Sequence, residues 1–205
     1  NHAADRIMFA DAQYVPLLEK IARQTFRASE IVNSLLNFSR TSTTEFVAVD
    51  LNKIIRETLS LVEHQLVKAR VEVKLALAED LPRIKGNAGK LQQVFLNLVL
   101  NARDAMEAGG TLAIQTGVDA NRTVRVSVAD SGSGIAPENL TRIFDPFYTT
   151  KKEGTGLGLM IVQRIVRAHG GRIELESLVG RGTTFRIWLP LHERKLRLLE
   201  APPHD

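Results

Sequence analysis

The chain has no cysteine among its 205 residues. Disulfides and thiolate metal sites are therefore excluded, and a reducing, cytoplasmic compartment fits that composition. No run of about 18 apolar residues occurs, so no membrane-spanning helix is expected in the sequence. The opening NHAADRIMFADAQ lacks the charged start, apolar centre and small-residue cleavage site of a secretory signal. The formal net charge is only +4 and no basic block is present, which argues against a nucleic-acid partner. Two familiar phosphate-binding motifs are also missing. A Walker loop needs Gly-Lys-Ser/Thr, and a dinucleotide fingerprint needs G-x-G-x-x-G directly after a strand. The chain instead has Gly154, Gly156 and Gly158 at alternate positions, after YTTKKE, which is no strand.

What is present is enough for a folded core: 44% of the residues are apolar. Residues 15–40 carry an apolar stripe at helical spacing (Leu17, Leu18, Ile21, Ala28, Ile31, Val32, Leu35, Leu36) and predict one long helix. TSTTE at 41–45 is small and polar and reads as a linker, so the domains are placed at 1–43, 44–192 and a C-terminal tail, 193–205. Beyond the linker, a strand is expected over 46–49, and Asp50 caps a helix over 51–67. An alternating strand follows at 71–77, then a helix over 90–107 preceded by Gly89 and ending before Gly109-Gly110. Strand pairs are expected at 111–117 with 123–130 and at 171–177 with 182–190, with a short helix at 137–143 between them. Strands arriving in adjacent pairs favour antiparallel pairing, and the fold class is α+β, a mixed, largely antiparallel sheet with helices on one face.

Three segments carry candidate chemistry. In GTGLGL, the missing side chains let backbone N–H groups approach an anion at a helix start, backed by Leu157, Ile161 and Ile165 with Met160 and Ala168; a plain hinge before a helix is the other reading. In ADSGSGI, Asp130 ends a strand and can accept from an exocyclic amine, while Gly132 and Gly134 allow a flat ring close approach; an ordinary Asp-containing turn has the same residues. In QQVFLNLVLNARDAM, Gln93, Asn97 and Asn101 fall four apart on one helix face. Their amide oxygens suit Mg2+, and buried amides bonded to backbone are the alternative.

Taken in order, these segments resemble the sensor histidine kinases. NLVLNARDA is similar to that family's N box, DSGSGI to the G1 box, FDPFYTTK to the F box and GTGLGL to the G2 box. FRASEIVNSLLNFSR is similar to the second helix of its dimerisation and phosphotransfer hairpin, so the resemblance covers roughly residues 15–190. It implies a Bergerat-type ATP fold. Asp130 then accepts the adenine amino group, with Gly132, Gly134 and Ile135 lining the base. Asn101 with Asn97 holds Mg2+ on the phosphates, and Gln93 orients the incoming histidine. Phe144 and Phe147 anchor a lid over 148–154, and Lys151 or Lys152 reaches the terminal phosphate, although both also read as plain solvated lysines. Gly154, Thr155, Gly156, Leu157 and Gly158 complete the ATP site. The implied cofactors are ATP and Mg2+. The implied partners are a response regulator, an acceptor-histidine hairpin and, in the intact protein, a second copy.

The sequence departs from that pattern in three places. No H-E/D-x-x-x-P acceptor motif occurs; the histidines are His2, His64, His169, His192 and His204, and His2 lacks both the acid and the proline. No phosphoacceptor is therefore expected in this chain, which reads as a fragment unable to phosphorylate itself in cis. His169, at a helix end, reads as a residue interacting with the helix dipole. The lid is only seven residues, Tyr148–Gly154, and Asp104 stands where a base would contact phosphate. An ATP-gated clamp of the wider superfamily and a nucleotide-binding pseudokinase are the competing functional readings.

Overall fold

The structure, a computed structural model, describes Tyr14 and residues 45–119, 123–151 and 154–191. The helix expected over 15–40, residues 41–44 of the expected linker, Lys152 and the tail lie outside these described residues. The chain divides into two compact units, one of Asn1–Thr43 with Asp145–Leu157 and one of Thr44–Phe144 with Gly158–Asp205. The sheet and helices described next belong to the second.

Asp50 sits in extended backbone, and its Oδ1 accepts the Lys53 backbone N–H at 3.0 Å, which caps helix α1 (Leu51–Lys68) as expected. Leu51, Ile54, Ile55, Val62 and Leu66 form its buried face. Each fully buried aliphatic side chain of this kind contributes about 1.5–3 kcal/mol. Helix α2 (Ala88–Ala105) begins two residues earlier than the glycine signal indicates. Asn87 is the cap, its Oδ1 accepting the Lys90 N–H at 2.9 Å, and Gly89 lies inside the first turn. An amide acceptor satisfies an otherwise unpaired helix N–H, which glycine cannot do.

Seven strands are described: β1 (Val47–Val49), β2 (Val71–Ala76), β3 (Ile84–Gly86), β4 (Gly110–Val118), β5 (Thr123–Asp130), β6 (Arg172–Leu178) and β7 (Gly182–Pro190). β1 and β3 pair antiparallel as a small separate sheet; the others form one sheet in the order β2-β4-β5-β7-β6. Three of its pairings are antiparallel, while β2 and β4 run parallel from Val71 opposite Gly110 to Ala76 opposite Gln115. Adjacent-pair logic misses that parallel step, because α2 lies between the two strands and carries the chain back to the start of β2. Val73 and Leu75 stay 36% and 46% exposed on this edge strand. Strand β3 is three residues long and carries too little pattern to be read from sequence.

On β5, Val124, Val126 and Val128 are buried; on β7, Phe185, Ile187 and Leu189 are. These alternate positions meet the helices' buried faces in one core, so the helices cover one face of the sheet. Helix α3 (Gly158–Ala168) starts at the last of the three alternate glycines. Its buried residues are Val162, Ile165 and Val166, followed beyond the helix by His169; Met160 and Ile161 are half-buried and Ala168 is exposed. Of the expected stripe, Leu157 and Ile165 are buried and Ile161 packs partly against the core, while Val162 and Val166 are further buried positions that the stripe omits. Residues 159–162 are all apolar, so periodicity alone does not choose the inward face. The expected helix at 137–143 is a single 3-10 turn, Pro137–Asn139.

Candidate functional site

Gln93, Asn97, Asn101 and Ala105 follow one another at intervals of four along α2, a row in which neighbours share a face and which winds slowly around the helix. Two contacts fix what that face meets. At one end, a Cβ placed on Gly158 would lie 3.6 Å from Asn97 Oδ1, so the first residue of α3 abuts the Asn97 amide. At the other, a Cβ on Gly132 would lie 2.5 Å from the Ala105 carbonyl oxygen, and the Ser133 N–H donates to that oxygen at 2.9 Å. The row thus runs from the start of α3 to the loop after β5, about 12 Å by helical rise, with Asn101 between. Asn97 Nδ2 is buried and has no hydrogen-bond partner.

At the far end, Asp130 closes β5. Its Oδ1 accepts the Gly132 N–H at 2.9 Å and the Thr183 N–H at 3.2 Å, which fixes the carboxylate. Thr183 is directly opposite Asp130 across the β5–β7 ladder. Behind it, Ser177 Oγ accepts from the Ile135 N–H at 2.8 Å, donates to the Gly182 carbonyl at 3.0 Å and lies 2.9 Å from Thr183 Oγ1. Sequence reasoning missed Ser177 and Thr183, because only the strand register places them beside Asp130. Gly134 has φ +70°, and a Cβ there would overlap the Leu178 carbonyl; no L side chain fits.

Printed contacts thus link Asn97 to Gly158, and Ala105 to the Gly132–Ser133 loop that follows Asp130, with Gln93 and Asn101 on the same row of α2. Phe144 is half-buried against the core. In the segment assigned to the first unit, Phe147 is 63% exposed with φ +64°, and a Cβ on Gly156 would overlap its carbonyl carbon. Thr149 Oγ1 accepts the Lys151 N–H at 3.1 Å, the Gly154 N–H donates to the Lys151 carbonyl at 3.3 Å, and Thr155 Oγ1 accepts the Leu157 N–H at 3.4 Å. Leu157 is buried.

His169 needs a correction. It is 4% exposed, its Nδ1–H donates to the Ile165 carbonyl at 2.7 Å, and its Nε2 accepts the Asn87 N–H at 3.0 Å. Accepting at Nε2 requires the neutral ring, so its expected contact with the helix end is the neutral Nδ1–H bond to the Ile165 carbonyl, and burial is the part not expected. Burial, with a smaller contribution from the Lys90 ammonium, pushes its pKa below the usual histidine value, against the opposing effect of the Ile165 bond.

Residues 86–193 match the family model described as histidine kinase-, DNA gyrase B-, and HSP90-like ATPase, and the chain belongs to that family. Within it, the likeness is to sensor histidine kinases. The chain is 38% identical over 179 residues to the sensor histidine kinase ZraS of Salmonella typhi, covering 87% of this chain and 38% of that protein. It therefore spans well under half the length of this curated relative. The nucleotide-free catalytic domain of the histidine kinase ThkA superimposes with TM-score 0.64 at 38% identity, over 72% of this chain and 97% of that one. ThkA in complex with the response regulator TrrA gives 0.69 at 32%, over 84% and 49%. Full-length ShkA in complex with AMPPNP gives 0.72 at 31%, over 87% and 38%. The chain contains a histidine kinase ATPase catalytic domain of Bergerat-type fold. No helix among the described residues is long and apolar enough to cross a membrane.

Proposed function

We propose that the edge formed by α2, the loop after β5 and the start of α3 binds ATP with Mg2+ and supports transfer of its γ-phosphate to a histidine. The observation that carries this reading is the α2 row that ends on Gly158 at one side and Gly132 at the other. Asp130 takes the adenine amino group, and Gly132 and Gly134 leave room for the ring. Asn97 fits a phosphate-side role, since its buried amide has unspent hydrogen-bonding capacity. The Asn97 and Asn101 amide oxygens suit Mg2+, which supplies charge neutralisation at the phosphates when bound. Gln93 holds the incoming imidazole by a hydrogen bond and cannot remove its proton. A nitrogen of that imidazole attacks the γ-phosphorus in line; the P–N bond forms as the bond to the β,γ-bridging oxygen breaks, and ADP leaves.

The ATP site is supported by the AMPPNP complex of ShkA, and onward transfer to a response-regulator aspartate by the ThkA–TrrA complex. The acceptor histidine belongs to a dimerisation hairpin, supplied here by a separate chain, and the catalytic domain is taken to start near residue 44. Titration with ATP, with and without Mg2+, tests the site: Asp130→Asn should abolish binding. Incubating the chain with γ-labelled ATP and an acceptor hairpin should then yield acid-labile label on the hairpin. Unaltered ATP affinity in Asp130→Asn would refute the assignment.

A further inference from the structure

His169 lies outside the row that faces the nucleotide, yet both ring nitrogens are engaged between two helices. We propose that His169 is a positioning residue: it clasps the end of α3 to the cap of α2 and thereby sets where α2 presents Asn97 and Asn101 to the start of α3. The proposal rests on the reading that this α2 face holds the nucleotide.

The ring reaches the one backbone N–H that matters for the start of α2. Asn87 is the cap of that helix; its side chain serves the Lys90 N–H, and its own N–H is taken by His169 Nε2. The ring cannot slide. A Cβ on Gly86 would lie 2.9 Å from His169 Cδ2, so the imidazole is seated against the last residue of β3. The Phe46 ring closes another side at 4.7 Å between centroids, tilted by 40°. The Nδ1–H bond to the Ile165 carbonyl fixes the tautomer that leaves Nε2 as an acceptor.

The second junction between the helices is Gly158 against Asn97. From Asn87 to Asn97 is ten residues along α2, and from Gly158 to His169 eleven residues along and just past α3. At 1.5 Å per residue these spans are about 15 and 16.5 Å. Two antiparallel helices joined at equally spaced points transmit a shift at one junction to the other, because neither rod shortens. Loosening the His169 junction therefore moves the Asn97 amide relative to Gly158.

Protonation opens the clasp, since an imidazolium offers no acceptor to the Asn87 N–H. The groups facing the ring are the Lys90 ammonium from α2, the Gly86 backbone from β3, the Phe46 ring ahead of β1 and the Ile165 carbonyl of α3. Lys90 and burial both oppose the charge.

The test uses the full chain and its variants His169→Leu, His169→Gln and Asp130→Asn. Mg-ATP affinity is measured by titration, the Asn97 side-chain amide by NMR, and foldedness by circular dichroism. His169→Leu should weaken ATP by about tenfold, the scale of one net buried hydrogen bond, and shift the Asn97 amide resonance. His169→Gln restores an acceptor for Asn87 and should recover both. In the wild type, ATP affinity should fall as the pH drops below the usual histidine range, an inflection absent from His169→Gln. A folded His169→Leu with wild-type affinity and an unmoved Asn97 resonance overturns the clasp. If His169→Leu does not fold, the pH comparison decides, and identical profiles for wild type and His169→Gln overturn it. Persistent ATP binding in Asp130→Asn would sink the nucleotide assignment, while the Asn97 resonance would still report on the clasp.

Discussion

Four glycines separate two physical effects that substitution by alanine usually mixes. A Cβ on Gly117 meets nothing within 4 Å and the backbone there is not left-handed. Gly180 has φ +75° and equally open surroundings. Gly132 is outside the left-handed region, but its Cβ would press on the Ala105 carbonyl and Cβ in the last turn of α2. Gly134 combines φ +70° with overlap on the Leu178 carbonyl. Alanine at 117 should stabilise by about 0.4–1 kcal/mol through the unfolded chain. Alanine at 180 should cost about 1–2 kcal/mol for the left-handed backbone alone. Alanine at 132 should cost about 1–3 kcal/mol for overpacking alone. Alanine at 134 should cost about 2–5 kcal/mol, both together. In urea, a slope of about 2 kcal/mol per molar turns that last figure into a midpoint shift of roughly 1–2.5 M. ATP binding adds a second axis: the 132 and 134 variants should lose it, since Asn101 is one turn before Ala105, and the 117 variant should keep it. Equal destabilisation at 134 and 180 would refute the close approach of the loop to Leu178. A neutral Gly132→Ala would remove the packing of that loop on α2, and with it the geometric case for the site.

Three further outcomes follow from the same contacts. Asn97→Leu removes a buried amide nitrogen that lacks a partner, so the ligand-free protein should gain about 1 kcal/mol in urea unfolding while ATP binding is lost; a destabilised variant would show that the amide is satisfied. Asn101→Ala should abolish the Mg2+ dependence of ATP affinity in a paired titration, and an unchanged dependence would take Asn101 out of the metal site. The neutral His169 contributes stability that is fully present above its ordinary value of 6.5 and is lost as the pH falls through its lowered folded value. Urea midpoints should therefore drop across that window in the wild type and not in His169→Gln.

Much of this was legible because local signals agreed. Asp50 was readable as a cap, the 111–117 and 123–130 strands by alternation, and the Asn pair by its spacing. What failed did so for physical reasons. The parallel β2–β4 pairing depends on a helix carrying the chain back, a non-local fact. The full inward face of α3 is hard to read because four consecutive apolar residues give no preferred side and because His169 reads as a helix-end residue rather than as part of the buried face. Once Asn87 supplies a donor, His169 belongs to the buried face. Thr183 and Ser177 were invisible for a related reason: only the strand register sets the Thr183 N–H on Asp130 and the Ser177 hydroxyl against Thr183.

The pattern of satisfied and unsatisfied groups separates architecture from site. Asn52 donates to the Ala78 carbonyl at 2.7 Å and accepts from Thr116 at 2.9 Å. Thr58 bonds back to Ile54, Asn87 caps α2, His169 uses both nitrogens and Thr183 bonds to Asp130. Among the described residues, the buried side-chain polar atom left over is Asn97 Nδ2. A fold that meets this demand at each of those places has the means to meet it at Asn97 with leucine. Keeping the amide costs stability in the free protein, and that cost is offset only by a ligand that supplies the missing acceptor. On the proposed ATP reading, a phosphate oxygen is that acceptor. Ligand at a hundred times its dissociation constant stabilises the folded state by about 2.7 kcal/mol, of the same order as the roughly 1–3 kcal/mol penalty of an unpaired buried group.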